Sequence, residues 1–309
     1  MGRIAEDVSG LVGETPLVRL GHLERTLPQQ VTLLAKLEWL NPTGSDKDRV
    51  AVAALDAAIA DGLLAAGAVI VEPTSGNIGL SLSALCAARG YRLILTMPDV
   101  VPEGRIRLLR ALGTEIVLTP GVLGMRGAVE RAERLLHETP NSWSLRQFEN
   151  PVTAAANELL GEEIWRQTQG SVDVLVAGVA TGGIITGAAR ALKRRKPRVH
   201  SVAVQPAASP VLTGGTPAPH RLYGLGAPFV PQVYDSSVVD TVIDVADREG
   251  YEAMHRLMRE EGLLGGPSSG AAVAGALEFA RGAATGTTIV VVLPDSIERY
   301  CGTDVLADR

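Results

Sequence analysis

Short apolar runs alternate along this chain with longer segments of helical periodicity, and this alternation constrains the fold more than any other feature. Six runs are predicted strands, at residues 69–72, 92–97, 115–118, 174–177, 201–205 and 288–293. Seven stretches are predicted helices, at residues 48–60, 79–89, 104–112, 126–137, 186–195, 249–261 and 270–281. Single helices between buried strands are typical of parallel sheets, and right-handed crossovers favour two doubly wound sheets. The predicted fold class is α/β, with two doubly wound domains and mainly parallel sheets.

Length and composition exclude several classes of protein. The 309 residues suffice for two domains, with a boundary expected near residues 147–151. Hydrophobic residues make up 46% and there is no apolar run of membrane-spanning length, so neither disorder nor a membrane span is expected. The net charge of -5, without blocks of like charge, predicts no nucleic-acid or anionic-membrane partner. The first residues lack a signal-peptide pattern, which favours a cytoplasmic location.

Cysteine and histidine give no metal-binding spacing. Cys86 and Cys301 form no CxxC pair, and we expect both to be reduced packing residues. The histidines show no HExxH or related arrangement. We therefore expect no metal site, and a serine–histidine hydrolase is unsupported.

A turn-rich loop at residues 41–49 runs directly into an Ala-rich helical pattern. Lys47 falls in the first turn of that helix, beside the positive end of the helix dipole. In a dry site this position favours the uncharged, nucleophilic amine. The alternative interpretation is an exposed lysine balanced by Asp46 and Asp48. A nucleotide P-loop is a third interpretation, but its GxxxxGK[ST] spacing is absent.

Residues 72–79 also lie between a predicted strand and a predicted helix. Thr74, Ser75 and Asn77 bring two hydroxyls and an amide to a glycine-opened helix start. Such a start suits a carboxylate or another small anion. An ordinary capped helix is the alternative interpretation.

Two later loops carry glycine before a helix. In residues 178–187 the glycines let the backbone approach a ligand closely, so that several N–H groups can converge on a phosphate. Residues 265–272 place Ser268 before a helix of small residues. A tight strand-to-helix turn and a closely packed capped helix are the respective alternatives.

A lysine nucleophile, a phosphate loop, a carboxylate loop and a lone serine are together the parts that a pyridoxal phosphate enzyme needs. The chain resembles the cysteine synthase (O-acetylserine sulfhydrylase) and cystathionine β-synthase family of fold type II pyridoxal phosphate enzymes. The resemblance extends from residues 13–18 (GETPLV) to 293–296 (LPDS) and includes 147–151 (QFENP) and 223–226 (YGLG). It implies a tryptophan synthase β-like fold, pyridoxal 5'-phosphate as cofactor, and a small amino acid and a small nucleophile as substrates.

The resemblance also implies a role for each matching residue. Lys47 would hold the cofactor as an internal aldimine and then remove the α-proton of the substrate. Asn77 would bind the ring hydroxyl, and Ser268 would face the pyridine nitrogen. The phosphate would be bound by Ala180, Thr181, Gly182, Gly183 and Ile184. The substrate carboxylate would be bound by Thr74, Ser75, Gly76, Asn77 and Gln147.

The domain organisation implied by the resemblance has two parts. A smaller, mobile domain at residues 36–149 would carry the carboxylate loop, and a larger domain at residues 1–35 and 150–309 would carry the phosphate loop and Ser268. A homodimer is the expected assembly.

Some residues depart from the family pattern. Ile78, Ala180, Ile184 and Ile297 replace residues that the family usually has as threonine or glycine, Asp46 replaces an apolar residue, and residues 102–106 (PEGRI) replace the usual serine-x-glutamate-arginine-arginine. These departures predict cofactor chemistry of the family type with an altered substrate pocket.

Three functions follow as hypotheses. The leading one is a transferase reaction, β-replacement on an O-activated L-serine through an aminoacrylate, which gives cysteine or a related β-substituted alanine. Ser268 supports it, because a neutral group at the ring nitrogen disfavours a long-lived carbanion. The second is β-elimination of the serine or threonine dehydratase type. The third is a non-catalytic, cofactor-binding paralogue that acts through a partner.

Overall fold

The computed structural model describes residues 4–306. Its strands, in chain order, are β1 (Leu17–Arg19), β2 (Thr32–Leu37), β3 (Val69–Pro73), β4 (Arg92–Pro98), β5 (Glu115–Thr119), β6 (Ser142–Trp143), β7 (Val174–Gly178), β8 (His200–Pro206), β9 (Thr241–Val245) and β10 (Thr288–Leu293). Its α-helices are α1 (Gly21–Glu24), α2 (Lys47–Ala60), α3 (Asn77–Arg89), α4 (Glu103–Ala111), α5 (Gly124–Glu138), α6 (Val152–Gln167), α7 (Gly183–Arg195), α8 (Asp247–Glu261) and α9 (Pro267–Ala280).

The chain divides into two compact units. Unit 1 comprises residues 4–12, Asn41–Thr43 and Lys47–Gln147. Unit 2 comprises Gly13–Leu40, Gly44–Asp46 and residues 148–306.

The sheet of unit 1 has the strand order β5-β4-β3-β6, and all its neighbouring strands are parallel. Val71 of β3 lies beside Ile94 of β4, and both belong to a hydrophobic cluster that also contains Ala132 of α5. Because parallel strands end at the same edge of a sheet, the segments that follow β3 and β6 emerge side by side.

The sheet of unit 2 has the strand order β1-β2-β10-β7-β8-β9, in which only β1 is antiparallel to its neighbour. Alternate residues of the central strand β10 enter two different hydrophobic clusters. Val291 and Leu293 belong to one cluster, whereas Val290 and Val292 belong to the other. Both faces of this sheet are therefore buried, which explains why β10 is a continuous apolar run in the sequence.

The structure confirms the predicted α/β fold class with two mainly parallel, doubly wound sheets. All six predicted strands are present, whereas the strands β1, β2, β6 and β9 and the helices α1 and α6 were not predicted. Several helices begin earlier than predicted, with α3 starting at Asn77 and α7 at Gly183. Within residues 4–306 no helix combines the length and the hydrophobicity needed to cross a membrane.

Candidate cofactor site and active site

Lys47 is the first residue of α2, and its side chain is half-buried. The neighbouring Asp48 is buried, and its Oδ2 accepts a hydrogen bond of 2.7 Å from the main-chain N–H of Thr43. Its Oδ1 accepts a second bond from the Thr43 hydroxyl. The Asp48 carboxylate thus closes the loop before α2.

The positions of the other lysines set Lys47 apart, since the chain has only four lysines. Lys36 is fully buried, and its Nζ lies 2.7 Å from Oε2 of Glu163. Lys193 and Lys196 lie at the carboxyl end of α7, where Lys193 pairs with Asp240. Lys47 alone stands in a loop-to-helix junction of the kind that binds a small ligand.

The carboxylate loop of unit 1 connects β3 to α3. Thr74 is buried, and its Oγ1 accepts a 3.0 Å hydrogen bond from the N–H of Gly76. A Cβ at Gly79 would lie 2.7 Å from Cγ2 of Thr74, so a glycine is needed for this close packing. Gly76 caps α3 without a side-chain hydrogen bond, which leaves first-turn N–H groups at the loop that carries Ser75 and Asn77.

A chain of hydrogen bonds joins the Lys47 loop to the start of α3 within unit 1. The hydroxyl oxygen of Thr43 lies 3.2 Å from that of Ser81. The Ser81 hydroxyl in turn donates to the main-chain carbonyl of Asn77 at 3.3 Å. The residues that flank Lys47 and Asn77 are therefore brought together.

The segment at residues 102–106 is also tied to the carboxylate loop. Arg105 of α4 donates from Nη1 to the main-chain carbonyl of Ser75 at 2.6 Å. This contact could not be predicted from the sequence, because a side-chain bond to a distant carbonyl leaves no pattern in sequence.

The phosphate loop of unit 2 connects β7 to α7. Within the described chain, the N–H groups of Ala180, Thr181 and Gly182 donate to no protein acceptor. Gly182 has φ +84°, and a Cβ there would lie 2.8 Å from Cα of Tyr234. A Cβ at Gly183 would lie 2.7 Å from the carbonyl oxygen of Thr153. The loop is a close-packed arrangement of main-chain donors at a helix start, which fits a phosphate group.

Ser268 is buried in the first turn of α9. The segment after β10 holds this turn in place, because the carbonyl of Asp295 accepts bonds from the N–H of Gly266 at 3.0 Å and from the Ser269 hydroxyl at 3.2 Å. The carbonyl of Pro294 accepts a 3.0 Å bond from the N–H of Asp46, the residue before Lys47. Residues 294–295 therefore fix both the Ser268 turn and the residues that lead into Lys47.

The turn at residues 223–226 connects the Ser268 turn with the phosphate loop. The N–H of Gly226 donates to the carbonyl of Val179 at 3.0 Å. A Cβ at Gly224 would lie 3.3 Å from Oγ of Ser268. In unit 2 the structure thus brings together the phosphate loop and Ser268. A cofactor with a phosphate at one end and a ring nitrogen at the other requires both.

Three isoleucines that depart from the family pattern are packing residues. Ile78 is 1% exposed, and Ile184 lies in the hydrophobic cluster that contains Val290 and Val292. Ile297 packs with Met254 and Tyr300. The side chain of Ile297 is thus buried among apolar residues of unit 2, and its effect on the substrate pocket stays a prediction.

Metal binding has no support in the described residues. No group of three or more histidine, cysteine, aspartate or glutamate side chains in residues 4–306 is arranged to hold a metal ion. Burial raises the pKa of Cys86 to about 12, so this thiol stays protonated and unreactive at neutral pH.

The family follows from comparison with known proteins. Residues 8–295 match the model of the pyridoxal-phosphate dependent enzyme family. The chain belongs to this family, and pyridoxal 5'-phosphate is its cofactor. The main-chain donors of the phosphate loop and the buried Ser268 fit the two ends of that molecule.

Within the family, the chain is similar to cysteine synthases. It is 42% identical over 300 residues to a cysteine synthase of Staphylococcus aureus (strain Mu50 / ATCC 700699), covering 96% of each protein. The crystal structure of a cysteine synthase (OASS) from Entamoeba histolytica has a TM-score of 0.96 at 37% identity and covers 99% of this chain and 92% of that chain. The crystal structure of an O-ureido-L-serine synthase has a TM-score of 0.93 at 37% identity, with 99% and 97% covered.

Proposed function

We propose that this protein catalyses pyridoxal phosphate-dependent β-replacement on an O-activated L-serine of the O-acetylserine type. The product is cysteine or a related β-substituted alanine. The similarity to cysteine synthases over 96% of the chain carries the proposal. The phosphate loop and the buried Ser268, which lie together in unit 2, support it, because this chemistry needs a cofactor bound at both its phosphate and its ring nitrogen.

The cofactor-binding residues we propose are those assigned from the family pattern. Lys47 holds the cofactor covalently, and Asn77 binds its ring hydroxyl. Ser268 faces the pyridine nitrogen. The main-chain N–H groups of the phosphate loop hold the phosphate, with Ala180, Thr181, Gly182, Gly183 and Ile184 as its residues.

The substrate is positioned by unit 1 in this proposal. Thr74, Ser75, Gly76, Asn77 and Gln147 bind its α-carboxylate. The cofactor, when bound, supplies an electron-withdrawing ring that makes loss of the α-proton and of the β-substituent feasible. Nζ of Lys47, once the substrate amine has displaced it from the cofactor, would accept the α-proton as a general base. The hydroxyl of Ser268 is neutral, so it would leave the ring nitrogen largely unprotonated and would limit the ring as an electron sink. This limitation disfavours transamination and racemisation.

A second candidate reaction differs only in the nucleophile. The similarity to an O-ureido-L-serine synthase is the basis for this candidate, in which a nucleophile of the hydroxylamine class takes the place of sulfide. The reaction would then give an O-substituted serine, with the same side chains in the same roles.

Rapid mixing tests the proposed reaction. We expect the absorbance of the bound cofactor to change when the holoenzyme meets O-acetylserine or O-phosphoserine. Products formed with sulfide, thiols, hydroxylamine-type compounds and amino acid amines are then identified by mass. No absorbance change with either serine derivative would overturn the β-replacement proposal. Release of pyruvate with every nucleophile would favour the dehydratase-type alternative.

We also propose a cytoplasmic homodimer whose smaller domain spans residues 36–149. In unit 1, Val100 and Val122 are 74% and 95% exposed, which leaves apolar area for a second copy of the chain. Light scattering after size exclusion should give twice the chain mass of 32.4 kDa. A single-chain mass at micromolar concentration would contradict the dimer.

A further inference from the structure

Glu72 is a buried carboxylate that the proposed mechanism does not use. It lies in β3, two residues before Thr74, and is 1% exposed. Its Oε2 accepts hydrogen bonds from the Ser144 hydroxyl at 2.8 Å and from the N–H groups of Leu145 at 2.9 Å and Arg146 at 3.3 Å. The N–H of Gln147 also donates to this carboxylate.

No cation pairs with Glu72 in the part of the chain that the structure describes. Burial raises the pKa of Glu72 above its ordinary value, and the hydrogen bonds from residues 144–147 oppose that rise. A buried carboxyl group without a counter-ion is costly. A leucine or valine would fill the same space in the strand at a lower free-energy cost. The carboxylate differs from these residues because it accepts several hydrogen bonds at once.

The register of the sheet shows which segments the Glu72 carboxylate connects. β3 and β6 are parallel neighbours, with Ile70 beside Trp143. Thr74 and Gln147 each lie four residues beyond this pair, so both emerge at the same edge of the sheet. Beyond Trp143 the strand pairing ends, and the Glu72 side chain replaces it as the acceptor for the next main-chain N–H groups.

The turn that Glu72 holds has an unfavourable backbone conformation. Arg146 has φ +55°, in the left-handed region that non-glycine residues rarely adopt. Its guanidinium pairs with Glu133 at 3.0 Å, and both side chains are about half exposed, so this pair contributes little. The charge-assisted bonds from the main chain to the buried Glu72 carboxylate stabilise this conformation.

We propose that Glu72 is a positioning residue for substrate binding: its carboxylate fixes the main chain of residues 144–147, so that Gln147 binds the α-carboxylate of the substrate together with Thr74, Ser75 and Asn77. This inference rests on the proposed function. Glu72 touches neither cofactor nor substrate, and it acts through Gln147.

Glu72→Gln in the holoenzyme tests the inference. The amide keeps the volume, but it has one acceptor oxygen and places an NH₂ group among N–H and O–H donors. We expect the cofactor absorbance to be retained and the Kd for L-alanine, read from the shift of that absorbance, to rise about tenfold. The Kd for L-alaninamide, which lacks a carboxylate, should stay within about twofold of wild type. KM for O-acetylserine should rise with a smaller change in kcat.

Two further variants test whether the effect depends on the Glu72 carboxylate and on Gln147. Ser144→Ala removes one donor and keeps the carboxylate, so its loss of L-alanine affinity should be much smaller. In a Gln147→Ala background, Glu72→Gln should have no further effect on the Kd for L-alanine, because Glu72 acts only through Gln147. If Glu72→Gln does not fold, Glu72→Asp takes its place, since its carboxylate falls one carbon–carbon bond short of the turn.

Each outcome bears on a different claim. An unchanged Kd for L-alanine, an equal loss with L-alaninamide, or an undiminished effect in the Gln147→Ala background would overturn the role of Glu72. Wild-type enzyme that binds L-alanine without converting O-acetylserine would overturn the proposed function alone, and the ratio of the two Kd values would still decide the role of Glu72. Wild-type enzyme that binds neither amino acid would overturn both.

Discussion

The hydroxyl of Tyr300 donates a 2.7 Å hydrogen bond to Oδ2 of Asp295. Two glycines make room for this pair. A Cβ at Gly266 would contact Oδ1 of Asp295, and a Cβ at Gly224 would lie 3.6 Å from the Tyr300 hydroxyl and 3.3 Å from Oγ of Ser268. The turn at Gly224 therefore packs against both the Tyr300–Asp295 pair and Ser268.

Gly224→Ala should impair cofactor binding beyond its effect on stability. Gly224 has φ +88° and Gly214 has φ +85°, but a Cβ at Gly214 meets nothing within 4 Å. Both alanine variants should lose about 1 kcal/mol of unfolding free energy from backbone strain. Only Gly224→Ala should also weaken pyridoxal phosphate binding, by about tenfold, because it displaces Ser268. Urea unfolding and absorbance titration measure the two effects, and equal cofactor affinities in both variants would refute the packing argument.

Lys47→Ala should abolish covalent attachment of the cofactor. Borohydride reduction of the holoenzyme, followed by peptide mass analysis, should find the cofactor on Lys47 in wild type and on no lysine in the variant. Lys193→Ala is the matched control, because Lys193 pairs with Asp240 at the far end of α7. A reduced adduct that persists in Lys47→Ala would assign the anchor to another lysine.

Ile184→Thr should destabilise the protein while leaving the phosphate loop functional. The Ile184 side chain is 8% exposed in a hydrophobic cluster, so the substitution should lower the unfolding free energy by about 1–2 kcal/mol. Cofactor affinity should change less than about tenfold, because main-chain N–H groups do the binding. Ile184→Val is the control for lost volume. Tighter binding by several orders of magnitude in Ile184→Thr would show that the loop needs a hydroxyl.

Asp235→Asn should destabilise the fold in a pH-dependent way. Hydrogen bonds from Ser237 and Arg190 lower the pKa of Asp235 below its ordinary value of 3.8. A carboxyl group with a lowered folded-state pKa stabilises the protein above its unfolded-state pKa, and this contribution disappears as pH falls through the folded-state pKa. Asp235→Asn should therefore cost about 1 kcal/mol at neutral pH.

Unfolding of both proteins between neutral pH and pH of about 3 measures this dependence. The difference in unfolding free energy should shrink below pH of about 4. A difference that stays constant through this range would exclude the ion pair with Arg190 as its cause. Because Asp235 follows Tyr234, which packs against Gly182, the variant should also loosen the phosphate loop.

The elements that were predicted from the sequence differ clearly in residue pattern from the segments that flank them. β10 is a run of apolar residues bounded by turns, and its strand character follows from that pattern alone. α6 was missed because it is buried on several sides: a Cβ at Gly161 would lie 2.7 Å from the carbonyl oxygen of Ala188 in α7. Close helix packing through small residues weakens the amphipathic period on which the prediction depends.

The candidate site also has parts that were predicted from the sequence and parts that were not. Lys47, the carboxylate loop and the phosphate loop carry local motifs, and the structure places them at helix starts as expected. Their binding roles stay predictions, as does the domain range 36–149. Glu72 and Arg105 could not be found from the sequence, because each bonds to main-chain groups distant in sequence, and only tertiary packing shows that Ile297 is buried.

Lysine is scarce in this chain, with four among 29 basic residues, and its chemistry explains a benefit of that scarcity. The cofactor is an aldehyde, which condenses with amines but not with guanidinium groups at neutral pH. Of the other lysines, Lys36 is buried, and Lys193 and Lys196 are in ion pairs. Surface charge carried by arginine thus adds no lysine amines that compete with Lys47 for the aldehyde. An excess of cofactor should accordingly load the protein at close to one molecule per chain.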